Sequence, residues 1–232
     1  MKKKSIKLSP TLREDDDEIE DHIGEQFCAY EKRTQHIHKV NVFLDGPILS
    51  ARHYRMVASE AADLTENDEL DFSITSGGGN MEGLIALLDI INTTQANVTA
   101  IIKGECHSAA SMLAVSCPNV IVSPYAIMLV HSANLGAGRA KAYDLKQYVD
   151  HNTDFCNNLF RDVYQGFLSE DEIEEVIKGK ELWMGSEEIS QRLENMMEYK
   201  KLRYCNEYVC CGDAEGCNDI CACPCAEDCT ED

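Results

Sequence analysis

The chain has 232 residues and is 44% hydrophobic and 7% aromatic, enough for one sizeable core with appended tails. Twenty-one Lys and Arg stand against 41 Asp and Glu, a formal charge of −20, which excludes a general nucleic-acid binder because phosphate attraction comes from cations. No run of about 18 apolar residues is present, which excludes a hydrophobic membrane helix.

In chain order, the first 38 residues read as an acidic arm that contains Glu14-Asp-Asp-Asp-Glu18. Met1-Lys-Lys-Lys4 is basic but no apolar stretch follows, so it is not read as a secretory signal, and a cytoplasm-like compartment is expected. Val40–Leu44 reads as a strand ended by Asp45-Gly46-Pro47, and residues 50–63 as a helix. Leu70–Ile74 alternates as a second strand and runs into the glycine turn Thr75-Ser76-Gly77-Gly78-Gly79-Asn80. A helix over 81–93 follows, with Leu84, Leu87, Leu88 and Ile91 on one face. Val98–Lys103 is a strand, and Gly104–Met112 is a second turn that opens a small-residue helix over 108–117. Asn119–Val122 and Ile127–His131 are two more strands. Residues 141–167 form a long helix, Ser169-Glu-Asp-Glu172 is a capping box, and Ser186 is predicted to cap a last helix to about Lys200. Strands alternating with helices predict an α/β fold of βαβ crossovers, with a body over 39–200.

The cysteines divide the chain. Cys28, Cys106, Cys117 and Cys156 are scattered, while eight crowd residues 201–232, where eight acids follow Arg203 without one base. A small secreted scaffold would spread its cysteines, so the body is expected to fold without disulfides. The tail offers thiolates for a soft metal such as Zn or Cu(I), with Cys210, Cys211, Cys217, Cys221, Cys223, Cys225 and Cys229 as ligands. Its spacings differ from a standard zinc finger, and a reduced tail with no fixed ligand is the other reading. Nothing in the body calls for a cofactor.

Two turns carry the chemistry. Ser76-Gly-Gly-Gly79 and the segment Gly104–Ser108 each lie between a strand and a helix, where helix N-termini present N–H donors that can stabilise an oxyanion. The triple glycine also suits phosphate, but no Gly-Lys-Ser/Thr follows and the spacing is not Gly-x-Gly-x-x-Gly. Ser108 follows a strand and opens a helix, the placement of a nucleophile elbow. Serine needs a base, and His131 at the end of an apolar strand is the candidate.

In this order the segments resemble the Clp-type proteolytic subunits (ClpP), in particular the shorter-looped ClpP-like peptidases of phages and prophages. The likeness covers roughly residues 39–190. Phe43-Leu-Asp-Gly-Pro47 resembles the family's Phe-Leu-x-Gly-x-Ile, and Ile74–Gly79 its Asn-Ser-Pro-Gly-Gly turn. Gly104-x-x-x-Ser108 resembles its Gly-x-Ala-Ala-Ser nucleophile motif, and Ser123-Pro124 through His131 the segment that ends in its catalytic histidine. The resemblance implies a ClpP/crotonase-like spiral of βαβ units with a protruding handle helix over 141–167. It implies a serine endopeptidase with Ser108 as nucleophile, His131 as base, Glu181 of Glu181-Leu-Trp-Met-Gly-Ser186 as the third member, and the Gly79 and Ala109 N–H groups as oxyanion donors. It implies a homo-oligomeric chamber of heptameric rings, two of them stacked, fed with unfolded protein by an ATP-driven AAA+ unfoldase in the cytoplasm of a bacterial or phage-infected cell. A literal Ala-Ala-Ser-Met match selects Ser111 instead, but Gly104 lies four residues before Ser108, which is the family's spacing.

The departures set the competing readings. Gly77 replaces the family's proline, and the turn to Gly83 is one residue short. Cys106 and His107 replace two alanines, which makes Cys106 with His131 a rival nucleophile–base pair. The alternatives are a catalytically inactive ClpP-like scaffold subunit and a crotonase-fold acyl-CoA enzyme, since fold alone does not fix function.

Overall fold

The structure is a computed structural model that describes residues 37–134, 136 and 141–207, with side chains to Arg203. The acidic arm before residue 37 and the tail thiols from Cys210 onward lie outside the described residues.

The described residues form a mixed α/β fold around one six-stranded sheet. Its strands are β1 (Lys39–Leu44), β2 (Glu69–Ser76), β3 (Asn97–His107), β4 (Asn119–Val122), β5 (Ile127–Val130) and β6 (Leu182–Gly185). The spatial order is β1-β2-β3-β5-β6, and β4 also pairs with β3. Every pairing is parallel except β5 with β6. The crossovers carry α1 (Arg55–Ala62), α2 (Met81–Thr93) and α3 (Ala109–Ser116), as consecutive parallel strands require. The long α4 (Ala142–Tyr164), α5 (Glu170–Ile177) and α6 (Ser186–Glu207) complete the described residues.

The period-two alternation sorts each strand into two faces. Val42, Leu44, Leu70, Phe72, Ile74, Ala100 and Ile102 point into the core, where Leu84 and Leu87 of α2 and Leu113 of α3 meet them. Each fully buried Leu, Ile or Phe contributes roughly 1.5–3 kcal/mol by leaving water. Helix α3 is buried on all sides from Ala109 to Val115, which explains why its sequence has small residues and no polar stripe. By contrast, α4 buries only Cys156, Phe160 and Tyr164, all near its C-terminal end. Its N-terminal part is mostly exposed.

Several elements differ from their sequence-based bounds. Residues 51–54 form a short 3-10 turn before α1, so the predicted single helix over 50–63 is split. The strand predicted to end at Lys103 continues to His107, because β5 adds a ladder from Glu105 to His107 beyond the reach of β4. The long helix stops at Tyr164, where Gly166 adopts φ +84°. Ser186 does not cap α6 with its hydroxyl; its Oγ donates to the Pro124 carbonyl at 2.9 Å. The predicted capping box at Ser169 is present in full, with Glu172 N–H to Ser169 Oγ and Ser169 N–H to the Glu172 carboxylate.

Candidate active site

The C-terminal ends of β2, β3 and β5 converge on a cleft of about 640 Å³. Ser108, Ala109, Gly79 and His131 all line it. Three parallel strands therefore bring together residues separated by as many as 52 positions in sequence.

Ser108 stands between the last residue of β3 and the first of α3. Its φ is +55° and its ψ −123°, and it is the only non-glycine with positive φ among the described residues. Such a conformation costs of order 1–3 kcal/mol and persists only where its surroundings enforce it. Here the Ser108 N–H donates to the Leu129 carbonyl at 2.8 Å, and its own carbonyl accepts the N–H groups of Ser111 and Met112. Ser108 lines the cleft, and its hydroxyl makes no helix-cap hydrogen bond. Ala109, the first residue of α3, has an N–H with no partner inside the helix.

The glycine turn lies opposite. Gly78 has φ +87°, and a Cβ there would stand 2.6 Å from the His107 carbonyl oxygen. A Cβ on Gly79 would meet the Ile48 carbonyl oxygen at 2.3 Å. These two positions require glycine because the turn is pressed between Ile48 and the Ser108 junction. Gly77 has open space around it, so the family's proline is replaced where no close approach demands it. Ile48 N–H bonds to Gly78 O, and Asn80 N–H to Ile48 O. This bridge directs the Gly79 N–H away from Ile48, on the side of the strand opposite the bonded groups. Asn80 then caps α2, accepting from Gly83 N–H at 2.9 Å.

His131 follows β5 and is half-buried. Its Nδ1 lies 2.7 Å from the Ser132 carbonyl oxygen, which can only accept. Nδ1 is therefore the donor of this bond, which in the neutral ring leaves the lone pair on Nε2. Ser108 Oγ and His131 form no direct hydrogen bond in this structure, although both line the cleft. Bonds of this kind are often long before substrate binds.

Glu181 is placed by register. β5 and β6 pair Val130 with Leu182, so one further step sets Glu181 across from His131. Its side chain is exposed, absent from the cleft wall, and makes no hydrogen bond to the imidazole among the described residues. The partner of Nδ1 is a backbone carbonyl, for which the sequence carries no signal.

The rival nucleophile is removed by the pleat. Cys106 points into the core with no exposed surface, and burial pushes its thiol far above the ordinary cysteine range. The Cys106–His131 pair is therefore not formed. His107 points to the other face of the sheet, where its ring meets Trp183 edge-on at 5.2 Å. Cys106, Cys117 and Cys156 are free buried thiols. Ser111 is fully buried, with its Oγ bonded to Ser108 O and 2.6 Å from Tyr164 OH. Sequence reasoning missed the wall that α4 gives the cleft through Tyr148, Asn152, Phe155 and Phe160.

A family model, Clp protease, matches residues 24–191. The chain belongs to the Clp protease family. A search of curated proteins finds no match. Family membership makes a peptidase the general expectation for this Clp protease, and it accords with the α/β sheet, the glycine turn and the serine at the strand–helix junction. No helix of the described residues is long and apolar enough to cross a membrane.

Proposed function

We propose that this Clp protease family member is a serine endopeptidase with Ser108 as nucleophile and His131 as general base. The observation that carries the reading is the strained Ser108, held at φ +55° beneath a glycine turn and lining the same cleft as His131. His131 Nε2 takes the Ser108 proton as Oγ attacks the peptide carbonyl, then delivers it to the leaving amine. The Gly79 and Ala109 N–H groups hold the oxyanion of the tetrahedral intermediate. Water then attacks the acyl-enzyme by the same route. The Ser132 carbonyl fixes the imidazole tautomer, and Glu181 across the β5–β6 register supplies negative charge as the imidazolium forms.

Clp proteases in general form rings and work with unfoldases. For this chain, we propose a homo-oligomeric ring that receives unfolded protein from an ATP-driven partner in the cytoplasm. The outer face of the sheet supports the ring. Phe43, Ser73, Ile101 and Ile121 form one row across four strands, with Phe43 64% and Ile121 56% exposed. Ile127 and Trp183 extend this uncovered face, and mostly parallel sheets are normally covered on both sides. The tail thiols Cys210 to Cys229 are proposed ligands for a zinc ion separate from the peptidase chemistry.

The test is hydrolysis of a fluorogenic peptide by the assembled full chain. Ser108→Ala and His131→Ala should each lower kcat by about 10⁴-fold or more with the fold retained. Unchanged hydrolysis in Ser108→Ala would end the reading. A folded, assembled wild type with no activity would favour the noncatalytic scaffold, and acyl-CoA turnover the crotonase-like alternative.

A further inference from the structure

The conformation of Ser108 needs an external support, and three carbonyl and hydroxyl contacts converge one helical turn inward to give it. Ser111 Oγ lies 2.7 Å from Ser108 O, 3.3 Å from Leu129 O and 2.6 Å from Tyr164 OH. Leu129 O is also the acceptor of the Ser108 N–H. One small buried hydroxyl thus touches the turn of the nucleophile, the strand that leads to His131, and the end of α4.

The proton count fixes the direction. A carbonyl only accepts, so the single Ser111 proton goes to Ser108 O, the nearer of the two carbonyls. The Tyr164 hydroxyl is then the donor to Ser111 Oγ. Burial holds the Tyr164 phenol well above the ordinary tyrosine range, so it keeps its proton. Its ring is fixed between Phe160 at 4.6 Å and Phe167 at 6.1 Å, and Phe160 itself lines the cleft.

We propose that Ser111 and Tyr164 are a positioning pair that anchors the strained Ser108 turn to the end of α4, beside its own backbone bond to β5, and thereby sets the nucleophile-to-base geometry. The inference rests on Ser108 being the nucleophile. Without the pair, Ser108 O keeps only its two backbone donors, and the turn is free to relax toward an ordinary helix start. A displacement of about 1 Å at a reacting atom is enough to cost about 10²-fold in rate.

The experiment compares the full-length wild type with Tyr164→Phe, Ser111→Ala and the double variant. It reads kcat and KM on a fluorogenic peptide, the rate of fluorophosphonate labelling of Ser108, and Tm. Tyr164→Phe keeps the ring packing and removes only the hydroxyl, so it decides the matter if Ser111→Ala does not fold. Expected are a fall in kcat of about 10-fold for Tyr164→Phe and about 10²-fold for Ser111→Ala, with KM within twofold and labelling falling in step. The double variant should be no slower than Ser111→Ala, because Tyr164 acts through Ser111. Wild-type kcat and labelling in Tyr164→Phe, or effects that multiply in the double variant, would overturn the pair. A folded wild type that takes no label on Ser108 would instead remove the nucleophile assignment, and the pair with it.

Discussion

Helices α5 and α3 are each entered from a serine, and they begin in opposite ways. Ser169 enters α5 at φ −71°, and its hydroxyl accepts the Glu172 N–H while the Glu172 carboxylate returns the bond. Ser108 enters α3 at φ +55° with no side-chain cap. The first serine is used for the helix, and the second is withheld from it. A local rule is satisfied where the chain needs stability and broken where a serine lines a cleft, which is where strain is expected to collect.

The largest effect should come from relaxing the broken rule. Ser108→Gly fits a positive φ without a Cβ, so it should raise stability by about 1 kcal/mol in chemical denaturation while peptide hydrolysis falls to background. A Ser108→Gly protein less stable than wild type would mean that the turn is not strained.

The obeyed rule should respond to pH. Arg192, which donates to both Glu172 oxygens, and the Ser169 groups hold the Glu172 carboxyl down to about 2. A depressed native pKa gives stability that is present above the ordinary glutamate value and lost as pH falls toward 2. The group is only partly buried, so solvent screening reduces the contribution to about 1–2 kcal/mol. Between pH 5 and pH 3, Tm of wild type should fall more than Tm of Glu172→Gln; parallel curves would contradict this.

The smallest effect is expected at the cap itself. Ser169→Ala should cost about 1 kcal/mol by denaturant unfolding and leave kcat unchanged. A loss of kcat there would break the separation between the two helix starts.

The same pair marks what was legible in the sequence. The Ser169 capping box is a local pattern and is found as read. The glycine turn and Ser108 at a strand–helix junction were legible because glycine and strand periodicity are local signals too. The continuation of β3 to His107 was not, since it depends on β5, some 20 residues away. Strand β6 is four residues long and exists through pairing with β5, so its own sequence gave no strand signal. The contacts that organise the cleft are of the same nonlocal kind. Tyr164 meets Ser111 across 53 positions, and the acceptor for His131 is a main-chain oxygen that every residue has.

The most direct measurement is labelling of the assembled protein with a fluorophosphonate, followed by peptide mapping of the adduct by mass spectrometry. The account predicts one adduct, on Ser108, absent from Ser108→Ala and from His131→Ala. An adduct on Ser111 or on a cysteine, or no adduct on a folded and assembled protein, would contradict it.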